Sequence, residues 1–209
     1  MKTDNMSAII LAAGFSTRME QFKPLIRIGE KTFVEHAITL FKKSGVGDIV
    51  TVVGHLSEKV IPVVKAATSR YVINDNYNQG MYSSIQTGVN ALKHSCDAFF
   101  LLPVDIPFVL TATIRQLSNA FCNNSSSMVC YPQFHSKRGH PPLINSRLID
   151  PILSYGGKGG LRTFLRNHEN QAVSIPVADP FIRLDADTPN DLALLREMML
   201  SRNCRNEAP

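Results

Sequence analysis

The chain has 209 residues, 44% of them hydrophobic and 19% charged, and its 22 Lys and Arg against 17 Asp and Glu leave a net charge of +5. That length can bury one full core, so a single domain over residues 1–201 with a frayed tail at 202–209 is expected. With five Tyr, no Trp and no basic stripe interleaved with aromatics, nucleic acid is not the expected partner, and the modest positive charge favours anionic small molecules.

No apolar run approaches the ~18 residues that span a bilayer, which argues against a membrane partner. The apolar stretch near the N-terminus is preceded by Asp4 and ends in Gly14, so it reads as a strand and not a signal peptide. The cysteines Cys96, Cys122, Cys130 and Cys204 form no C-x-x-C pair and read as reduced thiols of a cytoplasmic protein.

The first element is a strand over residues 7–12, Ser-Ala-Ile-Ile-Leu-Ala, which runs into Ala13 and Gly14. Ser16, Thr17 and Arg18 follow, then Lys23 and Pro24. Gly14 lets backbone N–H groups approach an anion, the hydroxyls add donors, and Arg18 and Lys23 neutralise charge. The segment therefore suits nucleotide phosphates, with an ordinary strand–turn–helix junction as the alternative. Phe33, Val34, Ala37, Ile38 and Phe41 then form a helical stripe, ended by Lys42, Lys43 and Gly45. Residues 49–53 are a β-branched strand stopped by Gly54.

Residues 76–84 offer Gly80, Ser83 and Ser84 ahead of a helix with its stripe at Met81, Ile85, Gly88, Val89 and Leu92. Helix N–H groups and hydroxyls there suit a base edge or ribose, or simply cap the helix. Residues 98–102 are continuously apolar, as in strands covered on both faces. They deliver Asp105 between Pro103 and Pro107, which can neither extend a strand nor open a helix, so the carboxylate is presented at the rim. Weaker strands are expected at 127–131 and 172–177. A last helix opens with Thr188 as cap, Pro189 in its first turn and Asp191 in the capping-box position.

This alternation predicts an α/β three-layer, Rossmann-like fold with a mostly parallel central sheet. Ligands in such sheets bind beyond the carboxyl ends of the strands. The Gly14 loop and Asp105 fall at such ends, and Asp185 and Asp187 stand just before the last helix. Asp105 with Asp185 or Asp187 would suit Mg²⁺ shared with phosphates, because that ion accepts a few carboxylate oxygens and completes its shell with phosphate and water.

The motifs L-A-A-G-x-S-x-R-M, Lys23-Pro24-Leu25, G-M-x-x-S at 80–84, D-x-P at 105–107, G-H-P at 139–141 and D-T-P-x-D-L at 187–192 stand in an order that resembles nucleotidyltransferases of the glycosyltransferase-A-like fold. Within that MobA-like superfamily they are most similar to the molybdenum cofactor cytidylyltransferases, over residues 7 to about 195. The resemblance implies that CMP is moved from CTP to molybdopterin, and a molybdoenzyme or its maturation chaperone is the implied protein partner. It further implies a nucleotide site of Leu11, Ala12, Ala13, Gly14, Ser16, Thr17, Arg18, Lys23, Gly80, Met81, Ser83, Ser84 and Asp105. Lys23, Arg18 and Asp105 are its implied catalytic groups, and Asp105 with Asp187 its implied metal ligands. Ala13 stands where guanylyl-transferring relatives carry glycine. His140, Gly159, Gly160 and Arg162 are the implied acceptor side.

One departure falls in that acceptor loop. The family often carries an acidic residue after the first glycine, whereas residues 156–162 here read Gly-Gly-Lys-Gly-Gly-Leu-Arg. The glycines and two cations still suit a phosphate-bearing acceptor. Three other readings stand beside this one. The first is a nucleotidyltransferase using GTP or another nucleotide with a sugar- or alcohol-phosphate. The second is a nucleotide-dependent oxidoreductase, against which Gly14-Phe15-Ser16 lacks the G-x-G-x-x-G crossing. The third is a non-catalytic nucleotide-binding regulator.

Overall fold

The computed structural model describes residues 5–16, 19, 21–92, 96–124 and 126–206. The elements run β1 (Met6–Ala12), β2 (Arg27–Ile28), β3 (Lys31–Thr32), α1 (Phe33–Lys43), β4 (Asp48–Val53), α2 (Ser57–Ala66), β5 (Arg70–Ile73), α3 (Met81–Leu92), β6 (Ala98–Pro103) and α4 (Thr111–Asn123). They continue with β7 (Val129–Phe134), β8 (Lys137–Arg138), β9 (Leu143–Asn145), α5 (Ile149–Ser154), α6 (Gly160–Arg166), β10 (Ala172–Pro176) and α7 (Pro189–Asn206). The main sheet has the order β10-β7-β9-β6-β1-β4-β5, with β8 paired to β7, and β2 and β3 form a separate ribbon.

The centre of the sheet is parallel: β1 pairs with β4 on one side and β6 on the other. The antiparallel members are the short β8, paired to β7, and β9, antiparallel to both β6 and β7. The informative one is β9. It is only three residues long and follows the G-H-P turn, which leaves little periodic signal to read. The structure is thus an α/β, Rossmann-like three-layer fold with a mostly parallel sheet.

Continuous apolarity in β1 has the physical cause expected of it. Ile9 and Leu11 pack into one core with Val50, Val52, Ile85, Val89 and Leu165. Ala8, Ile10 and Ala12 pack into the other, with Phe33, Ile38, Val60, Ile114 and Leu195. Thus α3, α5 and α6 cover one face, and α1, α2, α4 and α7 the other. Gly88 lets α3 rest directly on the sheet, since a Cβ there would meet Ile9 Cγ2 at 2.6 Å and Val52 Cγ2 at 2.9 Å.

Both caps that frame the chain's outer helices are capping boxes. At α1, Glu35 N–H donates to Thr32 Oγ1 while Glu35 Oε2 accepts from Thr32 N–H at 2.7 Å. At α7, Asp191 Oδ2 accepts from Thr188 N–H at 2.8 Å, as its position predicted. No helix among the described residues is long and apolar enough to cross a membrane.

Candidate active site

Parallel register brings the ends of three strands to one rim. Leu11 lies opposite Pro103, and Ala12 opposite Val53. Past the rim the chain is tied by single backbone bonds: Val104 N–H donates to Leu11 O at 3.0 Å, and His55 N–H to Ala13 O at 3.2 Å. The Gly14 loop, Gly54–His55 and Asp105 are therefore neighbours because the strands beneath them are.

Lys23 closes this rim. Its Nζ lies 2.9 Å from Asp105 Oδ2 and 2.5 Å from Asp187 Oδ1. The side chain is only 11% exposed. Burial works to lower the Lys23 pKa, but the hydrogen bonds and charges of Asp187 and Asp105 outweigh it and hold the ammonium above its ordinary range. Two carboxylates 82 residues apart in sequence thus meet at one point.

Lys23 is itself placed by Ser16, whose hydroxyl oxygen accepts from Lys23 N–H at 3.0 Å. Ser16 adopts φ +58° to do so. Thr17 and Arg18 lie outside the described residues.

Asp185 does not join the pair. It is exposed, and it is absent from the walls of the cavity that Asp187 lines. An extended segment would have pointed both carboxylates the same way. Instead Ala186 N–H is pinned to Asp105 O at 2.9 Å, and the chain then bends into the Thr188 cap.

A cavity of about 360 Å³ opens over the pair, lined by Leu11, Ala13, Gly14, Ser16, Lys23, Gly80, Met81, Ser84, Asp105 and Asp187. Ala12 is not in its walls, because alternation along β1 turns it into the opposite core. Ser83 is not there either: its hydroxyl lies 2.9 Å from Asn76 O and 2.8 Å from Gly80 O, and it accepts from Asn74 Nδ2 at 2.9 Å. That serine shapes the turn. Phe15, Tyr77 and Asn78 also line the cavity. Tyr77 and Asn78 fall in the 76–84 segment expected to face a base or ribose, but the sequence singles out neither them nor Phe15, since nothing in the spacing marks an aromatic as facing a ligand.

A second cavity of about 680 Å³ adjoins the first through Leu11, Met81 and Pro103. His140, Gly159, Gly160 and Arg162 all line it, as expected of an acceptor side. Gly139 is what seats His140. A Cβ on it would fall 2.4 Å from Ile182 O, so two backbones touch there, and His140 N–H donates to that same oxygen at 2.7 Å. Burial pushes the His140 imidazole below its ordinary range, against the pull of Asp105 and Asp185. Its Nδ1 is buried without a hydrogen-bond partner among the described residues.

Three further wall residues were missed. Arg138 makes a two-pronged pair with Glu169, at 2.9 and 2.7 Å, and its guanidinium lies 4.4 Å from the centre of the Tyr131 ring. Arg162 belongs to α6 rather than to a loop. The absent acidic residue also has a structural counterpart. Gly157 adopts φ +75°, and a Cβ on it would meet the Tyr82 ring at 3.0 Å. Tyr82 occupies that space, its hydroxyl donating to Ile152 O at 2.8 Å.

Residues 8–173 match the family described as the MobA-like NTP transferase domain. The chain is 28% identical over 189 residues to nicotine blue oxidoreductase of Paenarthrobacter nicotinovorans, covering 88% of this chain and 92% of that protein. Its structure is similar to a nucleotidyl transferase from Methanothermobacter thermautotroptrophicus (TM-score 0.81, 20% identity, 95% of this chain and 99% of that one). It is also similar to CMP:2-keto-3-deoxy-manno-octonic acid synthetase complexed with CTP (TM-score 0.76, 14% identity, 95% and 99%).

Proposed function

The chain belongs to the MobA-like NTP transferase family and is a nucleotidyltransferase; from that premise we propose that it moves CMP from CTP to a phosphate-bearing acceptor of the molybdopterin class, releasing pyrophosphate. The observation that carries the reading is the meeting of Asp105 and Asp187 on Lys23 in the wall of a cavity that adjoins a larger, cationic one. The order of six motifs, Ala13 among them, supports CTP and the pterin acceptor.

A divalent ion fits the residues present. The two carboxylates converge within hydrogen-bond reach of one atom, and no cluster of three or more His, Cys, Asp or Glu suited to a metal occurs among the described residues. Mg²⁺ binds in this manner, through one or two carboxylates with phosphate and water completing its shell. Asp105 and Asp187 would hold it, and when bound it would neutralise phosphate charge.

In the reaction an acceptor phosphate oxygen forms a bond to the α-phosphorus of CTP while the bond to the β-phosphate oxygen breaks. The bridging electron pair leaves with pyrophosphate. Nucleophile and electrophile are both anionic, so the protein's work is charge stabilisation and alignment. Lys23 supplies a fixed positive charge to the α-phosphate. Backbone N–H groups around Gly14 approach the phosphates, and Arg18 neutralises the departing pair. Gly80, Met81 and Ser84 hold the nucleoside, and Arg162 with the Gly159–Gly160 turn holds the acceptor.

Pyrophosphate release, assayed with each of the four nucleoside triphosphates against molybdopterin and a panel of sugar and alcohol phosphates, tests this reading. CTP with the pterin should be fastest. No pyrophosphate release with any of the four triphosphates and any acceptor, alongside oxidation of a nicotinamide cofactor, would favour the oxidoreductase reading instead.

A further inference from the structure

The nucleotide half of the site contains an aromatic cluster that the mechanism above does not use. His55 follows β4 after Gly54, and among the described residues its ring has three aromatic neighbours, each on a different segment around the cavity. Phe15, on the Gly14 loop, lies with its ring centre 4.9 Å away. Phe22, next to Lys23, lies at 5.8 Å, edge to face. Tyr77, on the turn leading to Gly80, lies at 6.0 Å. Phe15 and Tyr77 also meet each other at 5.1 Å.

The backbone beneath the ring is fixed to match. His55 N–H donates to Ala13 O at 3.2 Å. Gly54 allows the close approach, since a Cβ there would come within 2.8 Å of Tyr77 Cβ and 2.9 Å of Ala13 Cβ. Phe15 is 46% exposed, although a ring of that kind is ordinarily covered unless it serves a surface or a site. It lines the cavity together with Tyr77.

We infer that His55 is a positioning residue for the nucleotide: its ring ties the phosphate loop, the Lys23 segment and the nucleoside-facing turn to one point, so that all three are set before the triphosphate arrives. Offset and edge-to-face ring pairs are modest individually, but a ring shared by three segments lowers the ordering cost of each when ligand binds. The inference rests on the nucleotidyltransferase reading and adds to it a residue that touches neither phosphate nor metal ligand.

The test is calorimetric binding and steady-state kinetics on the full chain with Mg²⁺ and CTP. Wild type is compared with His55→Ala, His55→Phe, Phe15→Ala and the double variant Phe15→Ala/His55→Ala. His55→Ala should weaken CTP binding and raise its KM about tenfold, the scale of one or two lost ring pairs, with kcat within about threefold. His55→Phe should restore binding, because an aromatic ring and not a titrating group is required. The double variant should be no worse than about the poorer single one, since both changes break the same contact.

An unchanged KM in both single alanine variants, a kcat loss without a KM change, no rescue by phenylalanine, or fully multiplying penalties would each overturn the inference. Failure of wild type to bind any of the four nucleoside triphosphates would overturn the reading beneath it as well.

Discussion

Replacing Lys23 by Met removes the ammonium while keeping most of the stem, and it should move stability, metal response and turnover in a specific pattern. In the wild-type protein Nζ makes two charge-assisted hydrogen bonds, at 2.9 and 2.5 Å, to carboxylates that are 23% and 24% exposed. Such bonds are worth about 1.5–3 kcal/mol each in favourable settings. Partial exposure and desolvation offset roughly half of that, leaving a loss of about 2–3 kcal/mol. For a chain of this size that is a fall in Tm of about 5–10 °C.

The variant then holds two carboxylates with their shared cation gone, so millimolar Mg²⁺ should recover about 1–2 kcal/mol in it. Wild type should gain less, because there the metal must compete with the ammonium. Turnover should fall on the order of a hundredfold, the cost of one charge-stabilising group. The Lys23 pKa is raised in the folded state, so its contribution is fully present below the ordinary lysine value. It is lost as pH rises through the higher folded value, and only wild type should show that alkaline loss. Thermal unfolding with and without Mg²⁺, together with pyrophosphate release, reads every part. Coincident melting of the two proteins, equal Mg²⁺ shifts and activity within a few-fold of wild type would refute the reasoning.

Other outcomes follow from the same structure. Thr51 is fully buried on β4 and its Oγ1 has no hydrogen-bond partner among the described residues; Thr51→Val should therefore be stabilising by about 0.5–2 kcal/mol, seen as a higher Tm, and a lower one would refute it. Gly139→Ala sets a Cβ 2.4 Å from a backbone oxygen that cannot swing away; a loss of about 3 kcal/mol or more is expected by urea unfolding, and a mild variant would show that the turn can yield. Burial holds the imidazoles of His36 and His140 below the ordinary 6.5. The unfolded chain thus binds protons that the native one refuses as pH falls through that value, and stability drops on the acid side. His140→Asn should flatten that slope in urea midpoints measured against pH, and an unaltered slope would discount the buried imidazole.

How far the sequence carried depended on whether a signal was local. The strands β1, β4 and β6 were legible because the apolar runs of β1 and β6 and the β-branched run of β4 require cover on both faces, and both cores indeed touch them. The α7 capping box was readable from Thr188 and Asp191 alone. By contrast β9 turns antiparallel through three residues that carry no period, and α2 and α4 lack a distinctive run at their starts.

Within the site, Asp105 and Lys23 could be nominated by their flanking prolines and their distance from Gly14. The residues alone left Asp185 and Asp187 open and only the family resemblance favoured Asp187; the physical reason lies in the bond from Ala186 to Asp105 O, a contact between distant segments. The same holds for Arg138 with Glu169 and for Gly157 against Tyr82: each is a partnership across the fold that neither residue announces by itself.

The shared wall of Leu11, Met81 and Pro103 separates two sets of residues with different origins in the chain. Apart from Asp187, everything that lines the smaller cavity comes from residues 11–105. The cationic and glycine-rich lining of the larger one comes from residues 138–166. Exchanging the later segment for that of another relative would therefore retarget which molecule is tagged while leaving the triphosphate machinery intact, so new acceptors can evolve, or be grafted, without reinventing the chemistry.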